Sequence, residues 1–189
     1  EEERGDLDNA TATLAEGRAQ LERLLAHTPG HPKTLDRRRI LAEMLVEVGR
    51  VLHARGKFVD EIATYRDALT HYDDILHSRP DDRDALLGSA IARDLIGDVT
   101  RNRGELDVAF GEYQAAMTAR QRVVDATVAA GGTDTGARGD LATSHLKIAS
   151  TLQARGDSAG ALAEYRACER LRSEVAAAEP ENSSRQLDL

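Results

Sequence analysis

Arg55-Gly56-Lys57-Phe58-Val59-Asp60-Glu61-Ile62-Ala63-Thr64-Tyr65 holds the pattern from which the remainder of the chain can be read. An Arg-Gly step closes one helical run, a second run opens, and a tyrosine stands nine residues past the glycine. The step recurs at Arg4-Gly5, Arg103-Gly104 and Arg155-Gly156, so the glycines follow one another at 51, 48 and 52 residues. The positions nine residues past the other three glycines hold Leu14, Tyr113 and Tyr165. Self-similarity at a fixed period marks a repeat array, in which each unit buries its apolar face against its neighbours. Such an array presents a surface rather than a catalytic pocket.

Between the glycines the apolar residues keep a helical period. Phe58, Ile62, Tyr65, Leu69, Tyr72 and Leu76 alternate steps of four and three, which places them on one helix face. Equivalent stripes are Leu7, Ala10, Leu14, Gly17, Leu21, Leu24, then Leu106, Ala109, Tyr113, Ala116, Val123, and finally Ala161, Tyr165, Cys168, Leu171, Val175. The helices ahead of each Arg-Gly step show Leu41, Met44, Leu45, Val48, Leu52, then Leu87, Ile91, Leu95, Val99, then Leu141, Ile148, Leu152. Pro29, Pro80 and Pro180 each lie 24 residues past a repeat glycine and end the second helix of a unit, since proline cannot continue one. In the third unit the loop Gly131-Gly132-Thr133-Asp134-Thr135-Gly136 takes that place. The pattern predicts seven helices, over residues 6–27, 33–55, 57–78, 82–103, 105–130, 136–155 and 157–178. Their short connections predict antiparallel hairpins.

Each hairpin glycine has a physical task. A helix commonly ends on a residue in the left-handed conformation, which costs glycine little. The preceding arginine sets positive charge on the negative helix end, and an acid after the glycine (Asp6, Glu105, Asp157) suits the positive start of the next helix. Lys57 departs from that pattern.

These positions resemble the tetratricopeptide repeat, whose pattern reads W-x2-L-G-x2-Y, then A-x3-F, then P, over 34 residues. The glycine of that pattern corresponds to Gly49, Gly97 and Ala149, each seven residues before a hairpin glycine. The A-x3-F step corresponds to Ala109-x3-Tyr113 and Ala161-x3-Tyr165, with Ala10-x3-Leu14 and Glu61-x3-Tyr65 as weaker versions. The Trp position holds Leu45, Arg93 and His145, so that element is not matched. The shortest period, 48, exceeds the family's by two heptads. A seven-residue insertion returns nearly to the same helix face, so a longer hairpin keeps its seam. The resemblance implies an all-α, right-handed superhelical solenoid of antiparallel hairpins. It also implies kinship with the long-helix repeats of large bacterial signalling proteins.

The whole chain, 1–189, is expected to be a single array with units at about 1–29, 30–80, 81–132 and 133–180 and the start of another at 181–189. The chain lacks an initiator Met, and Glu1 to Arg4 read as the last turn of a helix begun upstream. Asp188-Leu189 repeats the phase of Asp140-Leu141. A fragment of a longer protein is the expectation.

Composition narrows the function. Asp and Glu outnumber Lys and Arg by 33 to 25, giving a net charge of −8, whereas nucleic-acid binding needs a basic face. No apolar run reaches the roughly 18–20 residues of a membrane span. Neither a membrane nor a nucleic acid is an expected partner. One cysteine provides no intrachain disulfide and fits a reducing, cytoplasmic setting. Asp134-Thr135-Gly136 spells an aspartic-protease tripeptide, but that chemistry needs two such loops in a β-fold. It is read as a loop ending in a helix start. Arg138-Gly139-Asp140 is read as a first helical turn. His71, Asp73, Asp74 and His77 supply at most two co-facing metal ligands, so no metal is expected. Cys168 replaces Ala68 and Ala116 at a small-residue packing position and is expected to be buried and inert. No catalytic residue and no cofactor are expected.

The resemblance implies that the first helix of each unit lines the concave side and binds extended or helical peptides. The residues placed there are Arg50 and His53, then Asp94, Asp98 and Arg101, then Lys147, Ser150 and Gln153. Their mixed charge fits a polar peptide or partner domain. The family's Lys/Asn carboxylate clamp is not matched, because its Asn position holds Arg50, Asp98 and Ser150. The expected function is a non-catalytic interaction scaffold in a multidomain signalling protein. The alternative is a self-association module that stacks repeat ends. Gly5, Gly56, Gly104 and Gly156, with Tyr65, Tyr113 and Tyr165, are assigned structural repeat roles.

Overall fold

The computed structural model describes residues 2–178, with side chains described for residues 12–178. Among them are seven helices and no strand: α1 (Glu2–His27), α2 (Thr34–Ala54), α3 (Phe58–Ser78), α4 (Arg83–Asn102), α5 (Leu106–Ala129), α6 (Thr135–Ala154) and α7 (Ser158–Ala178). The chain is an all-α helical repeat. It divides into two compact units, the first ending at Ile96 and the second beginning at Gly97, inside α4. The expected unit at 181–189, with Pro180, lies outside the described residues.

The turns are built alike because glycine solves the same problem in each. Gly56, Gly104, Gly131 and Gly156 have φ of 69°, 78°, 75° and 85°, a conformation in which a Cβ would crowd the following carbonyl. After α2 the N–H of Gly56 donates to the carbonyl of His53 and that of Lys57 to Leu52, both at 2.9 Å. Gly104 and Glu105 repeat this with Arg101 and Thr100, and Gly156 and Asp157 with Gln153 and Leu152. Gly131 and Gly132 do the same with Val128 and Thr127. Each pair of bonds satisfies two carbonyls that the helix end leaves without partners.

Gly5 is not one of these glycines. Helix α1 runs through it from Glu2, so the expected helix break at Arg4-Gly5 and the start at residue 6 are both corrected. A glycine inside a helix costs only about 1 kcal/mol relative to alanine. With helix-forming residues on both sides, an Arg-Gly step alone does not end a helix. The fourth hairpin glycine is Gly131, which closes α5.

Acidic caps open several helices. Asp82 accepts from the Ala85 N–H at 3.1 Å, Asp134 from Ala137 at 2.8 Å and Asp157 from Gly160 at 2.9 Å. These bonds satisfy free N–H groups at the helix start. Asp134 of the protease-like tripeptide is thus the N-cap of α6, and Arg138-Gly139-Asp140 lies within that helix. Glu105 makes no cap bond; its carboxylate pairs with Arg103 at 3.0 Å.

In the first unit, α1 packs on α2 and α2 on α3. Leu41, Leu45 and Gly49 of α2 and Ile62, Tyr65, Leu69, Tyr72 and Ile75 of α3 form its buried faces. Tyr65 lies against Gly49, where a Cβ would fall on the ring. Tyr72 likewise occupies the space that a side chain at Gly88 of α4 would need. Arg39 of α2 reaches Asp82 at 3.2 Å and Asp84 at 2.7 Å, tying α2 to the start of α4. The expected stripes of α1 and α3 fail at their ends: Leu24 in the last turn of α1 and Phe58 at the start of α3 are exposed. On α4 the expected stripe of Leu87, Ile91 and Leu95 is corrected, because Ile91 is exposed in mid-helix and the buried face there is made by Leu86, Ala90, Ala92 and Ile96.

In the second unit, α5 packs on α6 and α6 on α7. Tyr113 lies against Gly97, where a Cβ would come within 2.5 Å of Cε1. Ala109, Tyr113, Ile148, Leu152 and Ala161 make one buried cluster, with Phe110, Met117 and Tyr165 packed around it. Arg120 is buried and donates to the Ser144 hydroxyl at 2.6 Å. A buried cation needs such a partner to offset the loss of its water. Cys168 is buried and unbonded to any other sulfur.

Candidate partner-binding surface

The residues expected to meet a partner come from α2, α4 and α6. Helical spacing of three or four sets Asp94, Asp98 and Arg101 along one line of α4 and Lys147, Ser150 and Gln153 along one line of α6. Within the second unit these lines run side by side. Both carboxylate oxygens of Asp98 accept from Lys147 Nζ at 2.7 Å. The Tyr113 hydroxyl donates to Asp98 Oδ1 at 2.6 Å, and Lys147 Nζ lies 5.1 Å from the Tyr113 ring centre. One turn further on, Arg101 donates to the Ser150 hydroxyl at 3.3 Å. Gln153 accepts from the Tyr165 hydroxyl at 2.9 Å.

The charges at the centre of this surface are thus spent partly on one another. Asp98 and Lys147 keep part of their side-chain surface in contact with water. Such a pair contributes little to stability by itself, about 0–1 kcal/mol. Its geometry nonetheless fixes where a positive and a negative group stand.

In the first unit the expected residues are not gathered in the same way. Arg50 is exposed and lies 3.6 Å from Glu47 of its own helix. His53 turns its Nδ1 to the carboxylate of Glu61, at 3.0 and 3.1 Å, and meets Phe58 edge-on. Asp94 is buried, 8% exposed, so most of its surface is already covered. Its position is held by Val46 in α2, which is buried too, and by Leu146 in α6, which is not.

Glu61 was not foreseen as a buried charge. It takes the place held by Ala109 and Ala161 in the other hairpins, and it is 1% exposed. The Glu61-x3-Tyr65 departure from the alanine pattern was the signal available in the sequence. His53 supplies one partner to the carboxylate and the Tyr65 hydroxyl another. Burial, then the nearby negative charge of Glu61, push the Tyr65 hydroxyl well above the usual tyrosine range. Burial, then Glu43, do the same to Tyr72. His71, half-buried on α3, is held below the usual histidine pKa by burial first and by the Arg38 guanidinium second. Arg38 in turn pairs with Asp74 at 2.5 Å, and Asp74 partly opposes the shift.

Among the described residues no group of three His, Cys, Asp or Glu side chains is placed to hold a metal ion. No described helix is long and apolar enough to cross a membrane.

No protein-family model matches the chain, and no curated protein matches it. Solved structures do. BtubC (BKLC) from P. vanneervenii is similar at 16% identity, over 89% of this chain and 91% of that one, with a TM-score of 0.31. MamA is similar at 15% identity, over 93% and 94%, with a TM-score of 0.29. A further structure of MamA protein gives 14% identity, 89% and 95% coverage and a TM-score of 0.31. No residue role follows from likenesses at this level.

Proposed function

We propose that this chain is a non-catalytic protein–protein interaction scaffold of tetratricopeptide-like hairpins. It binds a polar peptide or partner domain through the exposed sides of its first helices. The observation that carries this reading is the pairing of α4 with α6 by residues 49 apart in sequence, Asp98 with Lys147 and Arg101 with Ser150. Within the second unit α4 and α6 thereby present a polar strip with its charges held in place. A partner that bonds to fixed groups loses less conformational freedom than one that must order them. A cytoplasmic, regulatory place in a multidomain signalling protein is consistent with the family resemblance and with the acidic composition.

The test is a charge swap that keeps the internal pair. In the double variant Asp98→Lys, Lys147→Asp the ion pair is retained with its polarity reversed. A polar peptide library displayed on phage is selected against the wild-type chain, and selected peptides are titrated against both proteins. The expected result is at least about tenfold weaker binding to the swapped chain, as for displaced charge complementarity, with circular dichroism showing the helices of both proteins intact. Equal affinity for both proteins would remove the strip from the binding surface.

A further inference from the structure

Gly56 and Gly156 stand 100 residues apart, so the hairpin of α2 and α3 and that of α6 and α7 correspond position for position. In the second unit α5, α6 and α7 enclose a cleft of about 270 Å³. Arg138, His145, Arg170 and Glu174 line it, with the apolar Val124 and Leu141. Arg138 is partly buried and meets Glu174 Oε2 through Nη1 alone, at 3.5 Å. Arg170 is exposed and has neither an ion pair nor a hydrogen bond among the described residues. His145 Nδ1 meets Glu164 Oε2 at 2.6 Å, which orients the ring and leaves Nε2 without a partner among the described residues. Glu174 is the one acid lining the cleft, and its side chain is 54% exposed.

The corresponding groove of the first unit carries the opposite balance. Arg38 and Leu41 stand where the second unit has Arg138 and Leu141, but Leu45 replaces His145, Thr70 replaces Arg170 and Asp67 replaces Ala167. Its cations are matched by acids: Arg38 pairs with Asp74 at 2.5 Å, and Arg18 of α1 lies 2.7 Å from Glu22 and 4.0 Å from Asp67. Glu22, Asp67 and Asp74 keep 48%, 59% and 47% of their side-chain surface in water although α4 follows α3. The helix that comes next therefore does not cover this side of a hairpin.

We propose that the cleft of α5, α6 and α7 binds a phosphate group. The donors choose the ligand. Two guanidinium groups bring planar forks of N–H donors, which match phosphate oxygens two at a time. The imidazole Nε2 adds a third contact, accepting from a phosphate hydroxyl or donating when protonated. A carboxylate, with two oxygens, satisfies only part of this set. The cleft is smaller than the roughly 300–1,000 Å³ of most ligand pockets, so the bound group is small. Its two arginines outweigh Glu174 by one charge, in a chain of net charge −8. Glu174, more than half exposed, can turn its carboxylate to water when the anion takes its place beside Arg138. Inorganic phosphate and a phosphorylated side chain present the same chemistry to these groups. The site shares no residue with the polar strip on α4 and α6 and does not depend on it.

The test titrates inorganic phosphate into the isotope-labelled 189-residue chain at fixed pH and ionic strength. NMR follows the Nε–H signals of Arg138 and Arg170 and the imidazole of His145. Saturating shifts at all three are expected, with a Kd of about 1 mM or tighter. Arg170→Gln is expected to weaken binding about tenfold or more, as for the loss of a hydrogen-bond donor that carries charge. Glu174→Gln is expected to tighten binding, because the competing acid is gone; a merely structural role for Glu174 would give no such gain. Both sites are exposed, and circular dichroism verifies that the helices of each variant are intact. A peptide carrying one phosphoserine and its unphosphorylated twin separate the sources. A phosphopeptide that binds more tightly than phosphate, with an inert twin, assigns the site to a phosphorylated side chain; otherwise the site belongs to free phosphate or a small ester. Shifts that do not saturate, that chloride reproduces, or that persist unchanged in Arg170→Gln overturn the proposal. An affinity that does not rise in Glu174→Gln overturns it as well.

Discussion

In the hairpin of α2 and α3, Tyr65 is wholly buried with its ring against Gly49; in that of α6 and α7, Tyr165 is only partly buried and the glycine position holds Ala149. The central hairpin, α4 with α5, follows the first, with Tyr113 against Gly97. Two physical differences separate the last hairpin from the others. A methyl group at Ala149 fills space that the other rings occupy, and the stripe of α7 has no first helix of a further described unit laid over it. The repeat tyrosine is therefore not one role played three times. Its burial depends on what the neighbouring helices leave empty and what they cover.

The largest expected effect breaks the comparison directly. Tyr113→Ala is expected to cost about 3–5 kcal/mol, the range for an aromatic removed from a core, and it also deprives Asp98 of a donor. Tyr165→Ala is expected to cost about 1 kcal/mol, as for a partly exposed side chain. Urea melts of both variants measure the difference, and equal losses would mean that Tyr165 is core after all. Ala149→Gly sharpens the cause. If the methyl holds the ring out, fluorescence of Tyr165 becomes better shielded from a soluble quencher; if the open stripe does, shielding is unchanged.

A smaller effect separates two identical Arg-Gly steps. Gly104→Val is expected to destabilise the chain by about 1–2 kcal/mol, since a β-branched residue resists the left-handed conformation. Gly5→Ala is expected to raise helical content and to stabilise α1 by up to about 1 kcal/mol. Circular dichroism and urea melts test both, and a loss of helix on Gly5→Ala would restore the break that the repeat phase predicts there.

The smallest effect concerns acid. His71 of α3 corresponds to Ala119 in α5 and Leu171 in α7, so only this stripe of the three carries a histidine there. Its folded pKa lies below the unfolded value of 6.5. Below that pH the unfolded chain binds the proton first, so stability is present in full above it and declines on acidification towards the folded pKa. His71→Gln is expected to lessen the fall in urea midpoint between about pH 7.5 and about pH 5.5. The same fall in the variant and the wild type would place the acid sensitivity elsewhere.

Helix number, the turns at Gly56, Gly104 and Gly156, and the small-residue places of Ala68, Ala116 and Cys168 could all be read from spacing. Each depends on backbone geometry or on one helix face, and a residue's own neighbours in sequence dictate both. Gly5 could not be told from the other three by its neighbours, because a turn forms only where two helices have partners to fold onto. Gly131 was visible only as part of a loop. The candidate strip was legible as a set of positions on α2, α4 and α6. Which of them meet one another was not, since Asp98 and Lys147 are joined by packing across 49 residues. Nothing in the spacing marked Arg120 as interior, and the structure buries it on Ser144.

Periodicity and turn chemistry are local, so the order of residues alone was enough to make this chain a series of long helical hairpins with glycine corners. Burial is a property of what lies opposite. Only the packed structure could make Glu61 an interior carboxylate where its repeats carry alanine, leave Tyr165 half-covered where Tyr65 and Tyr113 are enclosed, and open the stripe of α7.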